Sequence, residues 1–469
     1  MRRRACLLGV TLAFGLGSGC AGRVPLSHGA PGDSGILYLY LDALPDEAKP
    51  LRAEIASVDA LDATGAAHRL GLRLGVLDGG SPPRQRLMAT GALPAGRYRG
   101  LAVSAVSARL AGDRGPGALQ TPEEPVVTDA PFVVEERGAT VLSLRLQVGA
   151  SIPEGIRFQP VLSAGPPGVL ASGLFALATS RSDGALVVFH RLAGEVFGVL
   201  RTGPAPIGVA LEADRQIAFV ASSEGDSIEA FDLSRMTRDQ RFPVLAGDRP
   251  SAVALSRDGR TLACAHAGSN VLGVYDAPVL AERFRVGVGL EPSAVLLDPG
   301  GRRAFVLNTG SDTLTVVDLI DGMTERTIAT DDGPIFGAVD RAGHRLYVIH
   351  RDSPHVVVVT LSRLAVERRV YVGPQASAIA VDPRTDRVFL ARRGTGRIEV
   401  FDPASLLPVD AIETGEDVSF LAVAGDGDLL YAAVPGAREV LGIRLAGNRV
   451  VSVTQLGHEP AWIAVAGGR

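Results

Sequence analysis

Histidine is the side chain best suited to proton transfer and to divalent-metal binding near neutral pH. The C-terminal two-thirds of this 469-residue chain carry His266, His350 and His458 beside short carboxylate-bearing segments that include Asp332 and Glu416. Paired with Asp332 or Glu416, such a histidine could act as a general base in hydrolysis. Two or three histidines with one carboxylate could instead hold zinc or copper. A third reading makes these residues part of a solvated binding rim, together with Asn308, Arg392, Arg393, Glu291 and Asp417. The run Arg392-Arg393-Gly394-Thr395-Gly396-Arg397 could grip a phosphate or an acidic glycan, or be only a charged turn. The candidates lie tens of residues apart, so only the fold can assemble them. No Gly-x-Ser-x-Gly, His-Glu-x-x-His or Cys-x-x-Cys occurs, and no helix follows Gly287-Val288-Gly289 to make a dinucleotide loop. No cofactor is expected.

A repeat of 42 residues supplies the scaffold. Pro250-Ser251-Ala252-Val253, Pro292-Ser293-Ala294-Val295, Pro334, Ala376-Ser377-Ala378-Ile379, Val418 and Pro460-Ala461-Trp462-Ile463 follow one another at that interval, and Pro206-Ile207-Gly208-Val209 precedes them by 44. A period in the low forties with short apolar strands indicates propeller blades. A second strand in each unit aligns Leu177, Phe219, Ala263, Phe305, Tyr347, Phe389 and Tyr431. Twelve residues later a third aligns Phe189, Phe231, Tyr275, Val317, Val359, Phe401 and Ile443. Turns such as Arg257-Asp258-Gly259 separate first and second strands. The first unit lacks a first strand and the last first strand has nothing after it. Trp462–Val465 should therefore complete the blade begun by residues 173–202 and close the ring. In that connectivity, loops that start at Ser180, Ser222, His266, Asn308, His350, Arg392 and Val434 share one face with Asp248-Arg249, Glu291, Asp331-Asp332, Glu416-Asp417 and His458-Glu459.

The pattern Pro-x-x-Val-x-Val, Tyr/Phe-Val, Gly-Ser-Asp, Val-x-Val-Val-Asp, clearest in Phe305–Asp312, resembles YVTN-type (YncE-like) propeller repeats over about 300 residues. WD and kelch signatures are absent. The resemblance implies a seven-bladed ring, and lactonase propellers of similar repeat supply the hydrolase precedent, by analogy of fold. A single tryptophan, Trp462, argues against a quinone-cofactor propeller.

Ahead of the ring, Ile36–Leu41, residues 52–59, 68–76, 84–90, 97–110, 131–135, Leu142–Val148 and 156–163 read as eight short strands of a β-sandwich, with residues 111–130 as a Pro/Gly/acid-rich loop. Ile36–Asp42, Leu93-Pro94-Ala95-Gly96-Arg97-Tyr98, Phe132-Val133-Val134 and Val141–Leu146 resemble a transthyretin- or immunoglobulin-like domain of unknown function found in bacterial lipoproteins. The fold class expected is all-β: a sandwich over 36–163, a linker over 164–172 and a propeller over 173–469.

Arg2-Arg3-Arg4, a short apolar run and Leu16-Gly17-Ser18-Gly19-Cys20 resemble a lipoprotein signal over residues 1–19, with Cys20 acylated and residues 20–35 as a tether. Ala21 after the cysteine implies outer-membrane sorting in a Gram-negative envelope, anchored by lipid and not by a spanning helix. Cys6 leaves with the signal, which strands Cys264 without a disulfide partner. Lys49 is the sole lysine, which excludes Schiff-base chemistry from the ring. Net charge is −4 and falls to about −7 when Arg2, Arg3 and Arg4 are removed, so nothing draws the chain to nucleic acid. The partner expected is another envelope protein or an extracellular polymer.

Overall fold

Short apolar runs punctuated every six to eight residues by Asp, Gly and Pro cannot build long helices, and they fold as meandering sheets. The computed structural model describes residues 34–112, 115–168 and 173–466. The leader, Cys20 and most of the tether lie outside them. Seven four-stranded antiparallel sheets follow one another as the blades of a propeller. Blade 2 shows the unit: Pro206–Glu212, Ile217–Ser222, Ser227–Asp232 and Thr237–Pro243, from the axis outward. Blades 3 to 7 begin at Pro250, Pro292, Pro334, Ala376 and Phe420. Blade 1 takes three strands from Phe175–Ser180, Ala185–His190 and Val196–Arg201. Its inner strand is Trp462–Val465, paired from Thr179↔Trp462 to Ala176↔Val465. The ring is thus closed by its C-terminal strand, as the unpaired copies required.

The repeated Pro-Ser-Ala-Val has a physical reading. Proline can open a strand, where no ladder donor is required. The serine hydroxyl then donates to the next blade: Ser251 to Pro292 O at 2.7 Å, Ser293 to Pro334 O at 3.2 Å and Ser377 to Val418 O at 2.7 Å. Between blades the aligned aromatics interleave; Phe219, Phe305, Tyr347, Phe389 and Tyr431 are all buried. On the axis, Phe336 of blade 5, Phe420 of blade 7 and Trp462 of blade 1 meet with ring centroids 4.4–5.2 Å apart. Rings from non-adjacent blades touch only across the centre, so this layer of the channel is filled.

The N-terminal domain is a sandwich of two sheets. One is mixed, in the order Leu162–Gly165, Ala139–Leu146, Ser34–Leu41, Arg86–Pro94, Gly71–Leu72, with the second and third of these strands parallel. The other is built on Leu51–Asp62 and Gly96–Leu110. Three details depart from the sequence expectation. Residues 68–76 do not form one strand: Ala67–Arg69 and Val76–Asp78 pair with Leu51–Asp62, while Gly71–Leu72 pairs with the opposite sheet, so this glycine-containing stretch crosses between layers. Pro153 and Gly155 (φ +70°) break the start of 156–163, leaving only Leu162–Gly165 as strand. The expected loop 111–130 contains Gly117–Leu119 and the first half of Val126–Val134.

The outer face of the mixed sheet is apolar and lies against the ring. Tyr38, Tyr40, Leu87 and Val141 share one core with Phe189, Val196 and Val199 of blade 1 and with Tyr431 and Leu456 of blade 7. The outer strand of blade 1, Val-Phe-Gly-Val-Leu-Arg, is buried along all but its last residue. Its blade 2 counterpart, Thr-Arg-Asp-Gln-Arg-Phe-Pro, faces solvent. Tyr40 Oη donates to Leu456 O at 2.8 Å, and Gln85 Oε1 accepts from Val196 N at 2.8 Å. A Cβ at Gly457 (φ +75°) would collide with Leu87. The sandwich is therefore docked on the closing blade, gripping the segment that leads into the closing strand.

Candidate functional site

Each second strand ends, on one face of the ring, in a side chain at an equivalent position: Ser180, Ser222, His266, Asn308, His350, Arg392 and Val434. Connections leaving the second strand and connections reaching the inner strand touch there. Ala267 N and Gly268 N donate to Arg249 O and Asp248 O, and Thr309 N donates to Glu291 O. The face inferred from the repeat is thus assembled, but its polar groups do not stand free in solvent. Ser180, Ser222, His266, Asn308, His350 and Val434 are all buried beneath the loops.

The three histidines occupy three separate networks. His266 Nε2 lies 3.1 Å from Tyr275 Oη, and its Nδ1 lies 3.7 Å from Asp248 Oδ2. Burial pushes this imidazole down to about 4, against the opposing pull of Asp248. Asp248 is itself buried, which raises it, but Arg285 and Ser269 outweigh that and hold it below the usual carboxylate range. In blade 5, His350 Nε2 accepts from Asp331 N at 3.3 Å and its Nδ1 donates to His355 O at 3.3 Å. Both ring nitrogens are spent on backbone, and burial holds the imidazole below its ordinary value against the opposing pull of Asp331 and the bond to His355 O. Neither is placed to take a proton from a substrate. His458 Nδ1 pairs with Asp183 Oδ2 at 3.0 Å, while its ring lies edge-on to Tyr38 with centroids 5.2 Å apart.

Ser180, Asp183 and His458 are the right residue types for a nucleophilic triad in the wrong order. Ser180 Oγ donates to the carboxylate at 2.9 Å and not to the imidazole, so the histidine cannot deprotonate it. In blade 5, Ser353 Oγ likewise donates to Asp331 at 2.7 Å while accepting from His355 N at 3.2 Å. The remaining candidates divide by exposure. Asp332, Glu416, Glu291, Asp417 and Arg393 are exposed on the loops. Asp417 accepts from Gly394 N at 2.7 Å. Arg392 is half-buried in a bidentate pair with Glu399 at 2.7 and 3.2 Å, and Arg397 shares that carboxylate at 3.0 Å. Of the arginine run, only Arg393 is left uncompensated, which weakens a phosphate grip. Among the described residues no three His, Cys, Asp or Glu side chains converge to hold a metal ion. Cys264 is buried, which raises its thiol out of the reactive range.

Sequence reading missed the acidic and amide clips between blades. Asp226, Asn270 and Asp312 sit in the left-handed region at φ +41° to +60° and accept from Arg249 N, Glu291 N and Gly333 N at 2.7–2.9 Å. The signal was present: Asn270 and Asp312 stand 21 residues ahead of the residue preceding Pro292 and Pro334, and Asp226 stands 23 ahead of the one preceding Pro250, and these two side chains tolerate that backbone region best. Also missed was Glu229, fully buried between Gly203 N (2.8 Å) and Arg238 (3.1 Å). On the opposite face, an open recess of about 320 Å³ is lined by Ser256, Arg257, Asp258, Thr261, Gly300 and Gly301, without a histidine.

No family model matches the chain, and no curated protein sequence does. Solved structures do match. The chain is similar to Kuenenia stuttgartiensis hydrazine synthase, with 19% identity and a TM-score of 0.52, over 59% of this chain and 93% of that one. It is also similar to a functionally unknown protein from Desulfotomaculum acetoxidans DSM 771, with 12% identity and a TM-score of 0.55, over 63% and 99%. At these identities the likeness concerns the fold alone. The chain is a β-propeller protein with a sandwich docked on it.

Proposed function

We propose that this protein is a binding or scaffolding module of the bacterial cell envelope, held by a lipid on Cys20 and presenting the loop face of a YVTN-type ring to a protein partner. One observation carries the reading. Beneath that face most polar side chains bind one another or the backbone, and the few atoms left without a partner, among them His266 Nδ1 and Asn308 Oδ1, are sealed from solvent, whereas the exposed charges at its surface, among them Glu224, Glu291, Asp332, Glu416 and Arg393, are left for contacts with another molecule. A filled axis, with His266 and His350 buried beneath the loops and His458 paired with Asp183, suits a rigid platform better than a hydrolase. The leader-like sequence and Cys20 support the envelope assignment, which labelling with radioactive palmitate and its loss in Cys20→Ala would test.

Crosslinking and affinity capture of the tagged chain from its own envelope, read by mass spectrometry, tests the binding role. The expected result is a stoichiometric partner that is lost when the exposed loop charges are neutralised and retained when His266 and His350 are replaced together in a variant verified to be folded. Retained zinc or copper, or lactone hydrolysis abolished by that histidine pair, would overturn it in favour of a metal or hydrolase role.

A further inference from the structure

On the face opposite the loops, the turn between the first and second strands of each blade approaches its neighbours, and arginines close several of the gaps. Arg341 N of blade 5 donates to Asp386 of blade 6 at 2.9 Å, and its guanidinium reaches Arg384 O at 3.4 Å. Arg384 pairs with Asp428 of blade 7 at 2.7 Å, and Arg191 of blade 1 pairs with Asp426 of blade 7 at 2.5 Å. Between blades 4 and 5, Pro299 lies where a Cβ on Gly343 would approach within 3.0 Å. Blades 3 and 4 differ. Two repeats before Arg341, Arg384 and Asp386 stand Arg257, Gly300 and Arg302. A glycine thus takes the place of the bridging arginine. The place of the accepting carboxylate goes to an arginine, which turns to Asp318 of its own blade at 3.1 Å. Among the described residues the Arg257 guanidinium has no hydrogen bond or ion pair. The gap stays open as the recess of about 320 Å³.

The recess sets a donor beside an acceptor. Arg257 offers its guanidinium. Asp258, next in sequence, offers a carboxylate whose Oδ1 is fixed by Ser256 Oγ at 2.6 Å and Arg260 N at 3.1 Å. Thr261 adds a hydroxyl that accepts from Arg283 at 3.4 Å. A bare anion entering here meets Asp258, and a bare cation meets Arg257. Adjacent hydroxyls can accept from the one and donate to the other, so a sugar satisfies both. The volume is at the small end of ligand sites, which run from about 300 to 1,000 Å³, and suits about one or two sugar rings. Gly300 contributes no side chain to fill it. No aromatic ring lines the recess, which keeps the expected affinity low.

We propose that the recess between blades 3 and 4 binds a saccharide unit through adjacent hydroxyls, with Arg257 as donor, Asp258 as acceptor and Gly300 leaving the space. The site lies across the ring from the loop face and does not depend on the role proposed there. The test is saturation-transfer difference NMR on the folded full chain, with methyl glucoside, methyl mannoside and maltose as probes. The decisive variant is Gly300→Leu, which fills the recess. A Cβ on Gly300 meets nothing closer than Asp298 Oδ2 at 3.4 Å, and its φ is not left-handed, so the turn can accept the side chain. Ala342→Leu adds the same bulk to the blade 5 turn and serves as the control. Expected are saturation transfer to at least one probe, its loss in Gly300→Leu, a reduction of about threefold or more in Arg257→Gln, and no change in Ala342→Leu. No transfer to any of the three probes overturns the proposal, as does a signal that persists in Gly300→Leu or falls equally in the control. Displacement of the sugar by sodium sulfate, but not by sodium chloride at equal ionic strength, would make the recess an anion site and overturn it as well.

Discussion

Buried imidazoles place part of the ring's stability in a defined pH window. His266 takes a proton near 6.5 in the unfolded chain but only at about 4 when folded. Between those values the unfolded chain binds more protons, so stability falls as pH drops from 6.5 toward 4 and this contribution is exhausted below. His350 is shifted in the same direction. The carboxylates act on the other side. Asp183, lowered to about 2 chiefly by its hydrogen bond to His458, contributes stability that is full above its ordinary value near 3.8 and is lost as pH falls through about 2. His266→Gln should therefore flatten the dependence of melting temperature on pH between 6.5 and 4, and Asp183→Asn should leave that window unchanged and alter the limb below it. An identical slope in His266→Gln and the parent protein would contradict this assignment. Tyr40→Phe removes one buried hydroxyl bonded to Leu456 O and should cost about 1 kcal/mol in denaturant unfolding.

Strands and loops show where sequence reading succeeds. The register of all seven second and third strands was legible, because one aromatic or aliphatic residue must fill the same interblade position in each copy. Closure by Trp462–Val465 followed from counting strands that lacked partners. The burial of His266 and His350 was not legible, since a residue at the end of a strand and the start of a loop has the same local pattern whether loops fold over it or away. The docking of the sandwich was written in one place and overlooked: Val196-Phe197-Gly198-Val199-Leu200 is apolar where every other outer strand carries charge or threonine, and a uniform ring would have no reason for that. Gly457 should be equally telling. Gly457→Ala would force a left-handed backbone on a residue with a Cβ aimed at Leu87, and should loosen the sandwich from the ring, read as faster hydrogen exchange in Tyr38–Leu41 and Val196–Leu200. Unchanged exchange there would mean that the interface tolerates what its geometry forbids. Deleting residues 458–469 should abolish cooperative unfolding of the ring, because it removes the inner strand of blade 1 and the central tryptophan together; an unaltered transition would sink the closure role of that strand.

At the scale of the whole molecule, the chain carries its own reporter. Trp462 is the only tryptophan, and it packs on the axis against Phe420 and Phe336, so its emission follows the ring alone. Tyr38, Tyr40 and Tyr98 belong to the sandwich, and far-UV circular dichroism averages both units. A core shared by Tyr38, Tyr40 and Leu87 with Val196, Val199 and Leu456 makes the two domains lean on one another. Each such side chain contributes about 1.5–3 kcal/mol when fully withdrawn from water, a sum large against the margin of a typical domain. Trp462 emission and far-UV dichroism should consequently follow one denaturation curve. Leu87→Asp, which puts a charge into that shared core, should separate them: the dichroism should acquire an earlier phase from the sandwich while the Trp462 transition persists at higher denaturant. If the curves already diverge in the parent protein, the sandwich is an independent unit resting on the ring, and a partner bound to the loop face would have no mechanical connection to the anchored end of the chain.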